Sequence, residues 1–203
     1  MANIGVLGGT FDPIHNGHLM LGRQAYQEYE LDEVWFMPSG TPPHKKDHEV
    51  TCVEDRCEMV RLAIEAVPFF RLSRFEIQRS GNTYTAETLR LLNETYTQNR
   101  FYFIIGADSL FQIETWYHPR EVMSQATLLV AGREYPEAPR SLEEQITYLK
   151  ERYPADIRLL HGEEVDLSSS ELRDMIARKK HVYKYLPQAV EDYIRQHALY
   201  QQL

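Results

Sequence analysis

Six short, largely apolar runs recur along this chain, and a stretch with helical spacing of apolar residues separates most of them. The runs are "NIGVLG" (3–8), "EVWFMP" (33–38), "FRLSRFEI" (70–77), "FYFIIG" (101–106), "TLLVAG" (127–132) and "DIRLLH" (156–161). Helical patterns fall near 17–30, 53–66, 85–97, 108–114, 119–124 and 141–152. Strands with apolar residues on both faces, alternating with helices, need cover on both sides of a sheet. The expected fold class is therefore α/β, a doubly wound and mostly parallel sheet. Beyond position 167 the alternation stops: "SSSELRDMIARKK" and "LPQAVEDYIRQHALY" read as two helices with no strand between them. The serines with a glutamate behind them form a helix start, and Pro187 suits a first helical turn. No linker composition separates this tail, so residues 1–203 are expected to form a single domain, with a 1–167 core and helices from 168–203 packed on it.

Composition narrows the function. With 43% hydrophobic and 26% charged residues, a chain of 203 residues can bury a core without staples. The cysteines, Cys52 and Cys57, lie on different faces of an expected helix and form no C-x-x-C pair, which points to reduced thiols in the cytoplasm. The apolar runs are strand-sized, and no basic leader precedes an apolar stretch, so neither membrane span nor secretory signal is expected. A formal net charge of −8 disfavours nucleic acid as a partner. An anionic ligand must then find its positive potential locally, which suits a small phosphorylated molecule.

"GGTFDPIHNGH" (8–18) supplies such a place. It directly follows the first expected strand, and ligands of open parallel sheets sit beyond the carboxyl ends of strands. Gly8 and Gly9 let backbone approach a phosphate closely, and Thr10 adds a hydroxyl. His15 and His18 are three apart and share a helix face, with Gly17 leaving room between them. A helix N-terminus and two imidazoles then offer donors to the same anion. Asp12, before Pro13, reads as a turn former. Far along the chain, "SSSELR" (168–173) repeats the theme of hydroxyls at a helix start, with Arg173 one turn later. Alone it would be an ordinary cap. "ARKKH" (177–181) reads as a solvated helix end, and "GEEVD" (162–166), without histidines nearby, as a surface loop.

The first motif resembles the signature of the H-x-G-H nucleotidyltransferase superfamily, and "SSSELR" resembles its distal S-S-T-x-x-R element, with Ser170 in the threonine position. Within the superfamily, "FDPIHNGH", "PSGTPPHKK" (38–46), "NTYTAETL" (82–89) and "FIIGADSLFQIETWY" (103–117) are similar to segments of bacterial nicotinate-nucleotide adenylyltransferases, in the same order. Asn82-Thr83 replaces a frequent serine before the tyrosine. The resemblance implies a Rossmann-like nucleotidyltransferase fold. It also implies adenylyl transfer from ATP to nicotinate mononucleotide, giving nicotinate adenine dinucleotide and pyrophosphate in NAD biosynthesis. His18 would serve the α-phosphate and transition state, and His15 the phosphates beside it. Thr10 would contact the reacting phosphates and Lys45 would bring a positive charge, also toward the mononucleotide. Ser169, Ser170 and Arg173 would hold the ATP tail. Gly106 and Asp108 would meet a ribose, Trp116 would stack on the pyridine, and the amides of Thr85 and Tyr117 would receive its carboxylate. Magnesium (Mg2+) would arrive held mainly by ATP's own oxygens, with no protein metal ligands. Taken alone, Trp116 reads first as a partly buried core aromatic, and Asp108 reads also as a helix cap.

Three other functions compete with this one. A cytidylyltransferase would fit the first motif alone, but its usual distal element differs from "SSSELR". Phosphopantetheine adenylyltransferases share the superfamily motifs but are shorter and lack "TPPHKK" and "GADSLFQIETWY". A non-catalytic dinucleotide-sensing module would be expected to have lost His15, His18 or Arg173. ATP and nicotinate mononucleotide are thus the expected partners, with no membrane, and the sequence leaves homo-oligomer formation open.

Overall fold

A computed structural model describes residues 1–40, 50–79, 81, 83–132, 138–162 and 168–201. Lys45 and Asn82, and residues 163–166 of "GEEVD", lie outside the described residues. Six parallel strands form one sheet: β1 (Ala2–Gly9), β2 (Glu33–Pro38), β3 (Phe70–Leu72), β4 (Asn99–Gly106), β5 (Thr127–Ala131) and β6 (Ile157–Leu160). Their order is β3-β2-β1-β4-β5-β6. The chain winds outward from β1 in one direction and then from β4 in the other. The carboxyl ends of β1 and β4 therefore flank the crevice where the winding reverses.

The helices cover both faces because the strands are apolar on both. α1 (Asn16–Glu28), α2 (Val53–Ile64), α7 (Ser169–Ala177) and α8 (Gln188–Gln196) bury Leu19, Val60, Leu172 and Ile194 in one core with Leu7, Val34 and Ile104 of the sheet. On the other face α3 (Thr85–Thr95), α4 (Ala107–Gln112), α5 (Pro119–Gln125) and α6 (Leu142–Arg152) bury Leu89, Leu110, Val122 and Leu149 against Val6, Phe103 and Leu128. Among the described residues, no helix is long and apolar enough to cross a membrane.

Three local expectations shift. The strand expected over 70–77 ends at Leu72, because the chain folds into a turn in which Arg74 and Glu76 carbonyls accept the N–H groups of Gln78 (3.1 Å) and Arg79 (3.1 Å). Pro187 is the residue preceding α8 and caps it from outside. Cys52 likewise stands just before α2 and is exposed, while Cys57 is buried within it. The expected serine start of α7 holds. Ser168 Oγ accepts from Glu171 N at 3.2 Å and the Ser168 N–H donates to the Glu171 carboxylate at 2.7 Å.

Candidate active site

β1 ends in Gly8 and Gly9, and the following turn delivers His15 as the residue capping α1. That turn is gripped from several directions. Asn16 N donates to Tyr185 O at 2.8 Å, Ser169 Oγ to Pro13 O at 3.0 Å, and Arg173 Nη1 to Asp12 O at 2.7 Å. The Asp12 carboxylate, 4% exposed, accepts from Tyr200 OH at 2.6 Å and Thr51 N at 3.3 Å. Asp12 is thus a tie between the two ends of the chain, consistent with its reading as a turn residue.

The two histidines pack ring to ring, 3.8 Å between centroids. The backbone N–H of His15 donates to His18 Nδ1 at 3.2 Å. An atom that accepts a hydrogen bond carries no proton, so the neutral His18 ring bears its proton on Nε2. Burial lowers the His15 pKa from 6.5 to about 4, and it pushes His18 well below the ordinary range, helped by the adjacent His15. Without ligand, the pair is neutral at pH 7. His15 Nδ1 is buried and has no hydrogen-bond partner among the described residues.

These groups line a cavity of about 860 Å³ over the carboxyl ends of β1 and β4. Of the expected site residues it brings together Gly8, Gly9, His15, His18, Gly106, Asp108, Ser169, Thr85, Trp116 and Tyr117. Gly106 precedes α4, so Asp108 sits inside the first turn and is not the cap. A Cβ at Gly106 would lie 2.5 Å from Asp108 Oδ1, so the carboxylate folds back over the strand end only because glycine is there. Trp116 is half-buried, makes a T-shaped contact with Phe103 at 6.4 Å between ring centroids, and lines the cavity. Thr85 is the first residue of α3, where a backbone N–H has no intrahelical acceptor. Tyr117 rests on Tyr84 at 4.4 Å.

Thr10, Ser170 and Arg173 do not line the cavity in this structure. The Thr10 carbonyl accepts from Arg56 Nη1 at 2.7 Å, Ser170 is exposed, and Arg173 is turned to the Asp12 carbonyl. Among the described lining residues there is no lysine or arginine. Positive potential there comes from the α1 N-terminus and the polar N–H groups.

Several further residues line the cavity or brace the motif beside it. Met20, Leu21 and Gln24 join Gly17 in the wall, and their spacing of 17, 20, 21, 24 is a helix face readable from sequence. Arg56, 2% exposed, donates to four carbonyls: Thr51 (3.0 Å), Thr10 (2.7 Å), Ser39 (2.9 Å) and Gly40 (3.3 Å). It joins the ends of β1 and β2 beside the motif, and the available signal was a charge inside the buried stripe of α2. Glu76, Thr83 and Thr88 also line the cavity, and no sequence spacing marks them as a group.

Comparisons with known proteins show the family. The cytidylyltransferase-like family model matches residues 6–175. A relative from Lachnoclostridium phytofermentans named "Probable nicotinate-nucleotide adenylyltransferase" is 42% identical over 200 residues, spanning 98% of this chain and 100% of that one. One from Desulfitobacterium hafniense with the same name is 40% identical, over 97% and 95% of the two chains. The fold matches that of the Plasmodium falciparum nicotinic acid mononucleotide adenylyltransferase complexed with NaAD, with a TM-score of 0.81, 22% identity, and coverage of 100% and 99%. The chain belongs to the nicotinate-nucleotide adenylyltransferases, within the cytidylyltransferase-like family.

Proposed function

We propose that this chain transfers the adenylyl group of ATP to nicotinate mononucleotide, giving nicotinate adenine dinucleotide and pyrophosphate. The observation that carries the reading is that a single cavity is lined both by the His15–His18 pair and by Thr85, Trp116 and Tyr117. Its volume of about 860 Å³ lies in the upper part of the range for small-molecule sites.

A phosphate oxygen of the mononucleotide attacks the α-phosphorus in line. The new P–O bond forms as the bond to the bridging oxygen breaks, and pyrophosphate leaves with the electron pair. The nucleophile is already anionic, so no residue need remove a proton from it. The protein's work is positioning and stabilising spread negative charge. His18, with its proton on Nε2, is assigned as the donor to the α-phosphate, and His15 to the phosphates beside it. Neutral rings suit this role, because donation requires an N–H and no net charge. Gly8 and Gly9, in the cavity wall, and Thr10, beside it, are assigned to the reacting phosphates. Ser169, Ser170 and Arg173 are assigned to the tail, and Arg173 has further N–H donors beyond the one held by Asp12. Lys45 is assigned as a cation shared by both substrates, and Gly106 and Asp108 to the ribose. Trp116 stacks on the pyridine, and amides of Thr85 and Tyr117 take its carboxylate. A carboxamide would bring donors to those donors and leave them unpaired.

The donors beside the motif are N–H and O–H groups, and the Asp12 carboxylate is occupied by Tyr200 and Thr51. That set complements phosphate oxygens and fits magnesium that enters on the nucleotide. When bound it supplies charge neutralisation to the phosphates, while the residues above orient them. The reading carries with it a cytoplasmic, single-domain enzyme. The burial of Leu172, Val190 and Ile194 in the core of the sheet supports one domain.

The test is a steady-state comparison of nicotinate mononucleotide, nicotinamide mononucleotide and phosphopantetheine. Nicotinate mononucleotide should be preferred by about a hundredfold or more in kcat/KM. Equal use of both mononucleotides would refute the carboxylate pocket, and preference for phosphopantetheine would refute the whole assignment.

A further inference from the structure

The turn after β3 places Glu76 in the cavity wall beside the start of α3. Its Oε1 accepts from Thr88 Oγ1 at 2.8 Å and its Oε2 from Thr83 Oγ1 at 3.2 Å. Both threonines are buried, Thr83 at 8% and Thr88 at 3% exposure. They stand on either side of Tyr84 and Thr85, so one carboxylate spans the point where α3 begins. Arg79 completes the arrangement: Nη1 donates to Thr88 Oγ1 at 3.1 Å and Nη2 to Glu87 at 3.0 Å. With its lone pair taken by Arg79, the Thr88 hydroxyl is oriented to point its proton at Glu76.

A carboxylate in the wall of a site for an anionic acceptor would repel that acceptor if it faced it bare. Here each oxygen is occupied by a hydroxyl, and the cation of Arg79 lies one bond away. Charge-assisted hydrogen bonds in a partly dry setting are short, directional and costly to lose. They hold backbone orientation better than apolar packing does.

We propose that Glu76 is a positioning and specificity-determining residue: by stapling Thr83 to Thr88 it aims the Thr85 amide at the acceptor's carboxylate. This rests on the assignment of Thr85 to the nicotinate carboxylate. Glu76 acts through the threonines and does not touch the reacting atoms.

The experiment measures KM and kcat for nicotinate mononucleotide, nicotinamide mononucleotide and ATP in the wild type, Glu76→Ala, Glu76→Gln and Thr88→Val. Glu76→Ala should raise the nicotinate mononucleotide KM and cut selectivity over the amide by about tenfold or more, with the ATP KM within about twofold. Glu76→Gln should keep most of the selectivity, because its amide oxygen can accept from Thr88 while its NH₂ donates to the Thr83 oxygen. Thr88→Val, which is nearly isosteric and expected to fold, should move selectivity in the same direction by a smaller factor. A selective wild type whose Glu76→Ala or Thr88→Val form stays equally selective overturns the proposal. Parallel increases in the ATP and acceptor KM values do so too, since they indicate a merely structural role. A Gln variant as impaired as Ala overturns the staple in favour of charge. A wild type that does not discriminate between the two mononucleotides overturns the Thr85 assignment itself, which separates the two failures.

Discussion

Packing two neutral imidazoles against each other at the mouth of α1 makes the ligand-free fold sensitive to acid. His15 is 6% exposed, and desolvation lowers its pKa from 6.5 to about 4. Between those values the unfolded chain binds a proton that the folded chain refuses, so stability rises with pH across this window. The contribution is intact above 6.5, falls as pH drops toward 4, and is flat below. At pH 5 an unfolded His15 is almost fully protonated while the folded ring is about nine-tenths neutral, which weakens the fold by about 2 kcal/mol relative to pH 7. Urea unfolding of the wild type and His15→Gln at both pH values reads this share together with the part of the His18 shift that His15 supplies, because the remaining groups titrate in both proteins. The wild type should lose about 2 kcal/mol more than the variant on going from pH 7 to pH 5. Any loss of absolute stability in the variant cancels in the comparison. Equal acid losses would mean that His15 is not held neutral by burial, and the picture of a neutral donor pair would fall with it.

His18→Ala removes the donor assigned to the developing charge and should lower kcat by about a hundredfold to a thousandfold, with an unchanged far-ultraviolet circular dichroism spectrum. Near-normal turnover would refute the role given to His18. Arg56→Leu strips four carbonyls of their donor and should cost about 3 kcal/mol or more in a urea melt. Arg56→Lys should recover only part of this, because one ammonium cannot reproduce the guanidinium fork. Full recovery by lysine would show that charge alone matters there.

Much of this molecule is legible in one dimension. Strands such as Asn99–Gly106 and helices such as Thr85–Thr95 follow the apolar period to within a few residues, since local sterics and the period of burial act along the chain. The opening motif is legible for the same reason: glycines, a turn and a helix start are adjacent in sequence. Where reading failed, a distant partner had intervened. The expected strand to residue 77 stops early as the chain turns between Arg74 and Arg79 and Glu76 reaches the hydroxyls of Thr83, just before α3, and Thr88, within it.

The one-dimensional pattern was enough for the class of fold and for placing the glycine–histidine motif at the carboxyl end of β1. It did not determine the order β3-β2-β1-β4-β5-β6, which puts β1 beside β4 and so brings Gly8 and Gly106 to one crevice. Nor did it contain the four-carbonyl grip of Arg56, the link from Tyr200 to Asp12 across 188 positions, or the present attachment of Arg173 to the Asp12 carbonyl. Each of those joins residues far apart in the chain. A buried polar group must find a partner wherever packing places one, and which partner that is depends on three-dimensional proximity that no local pattern encodes.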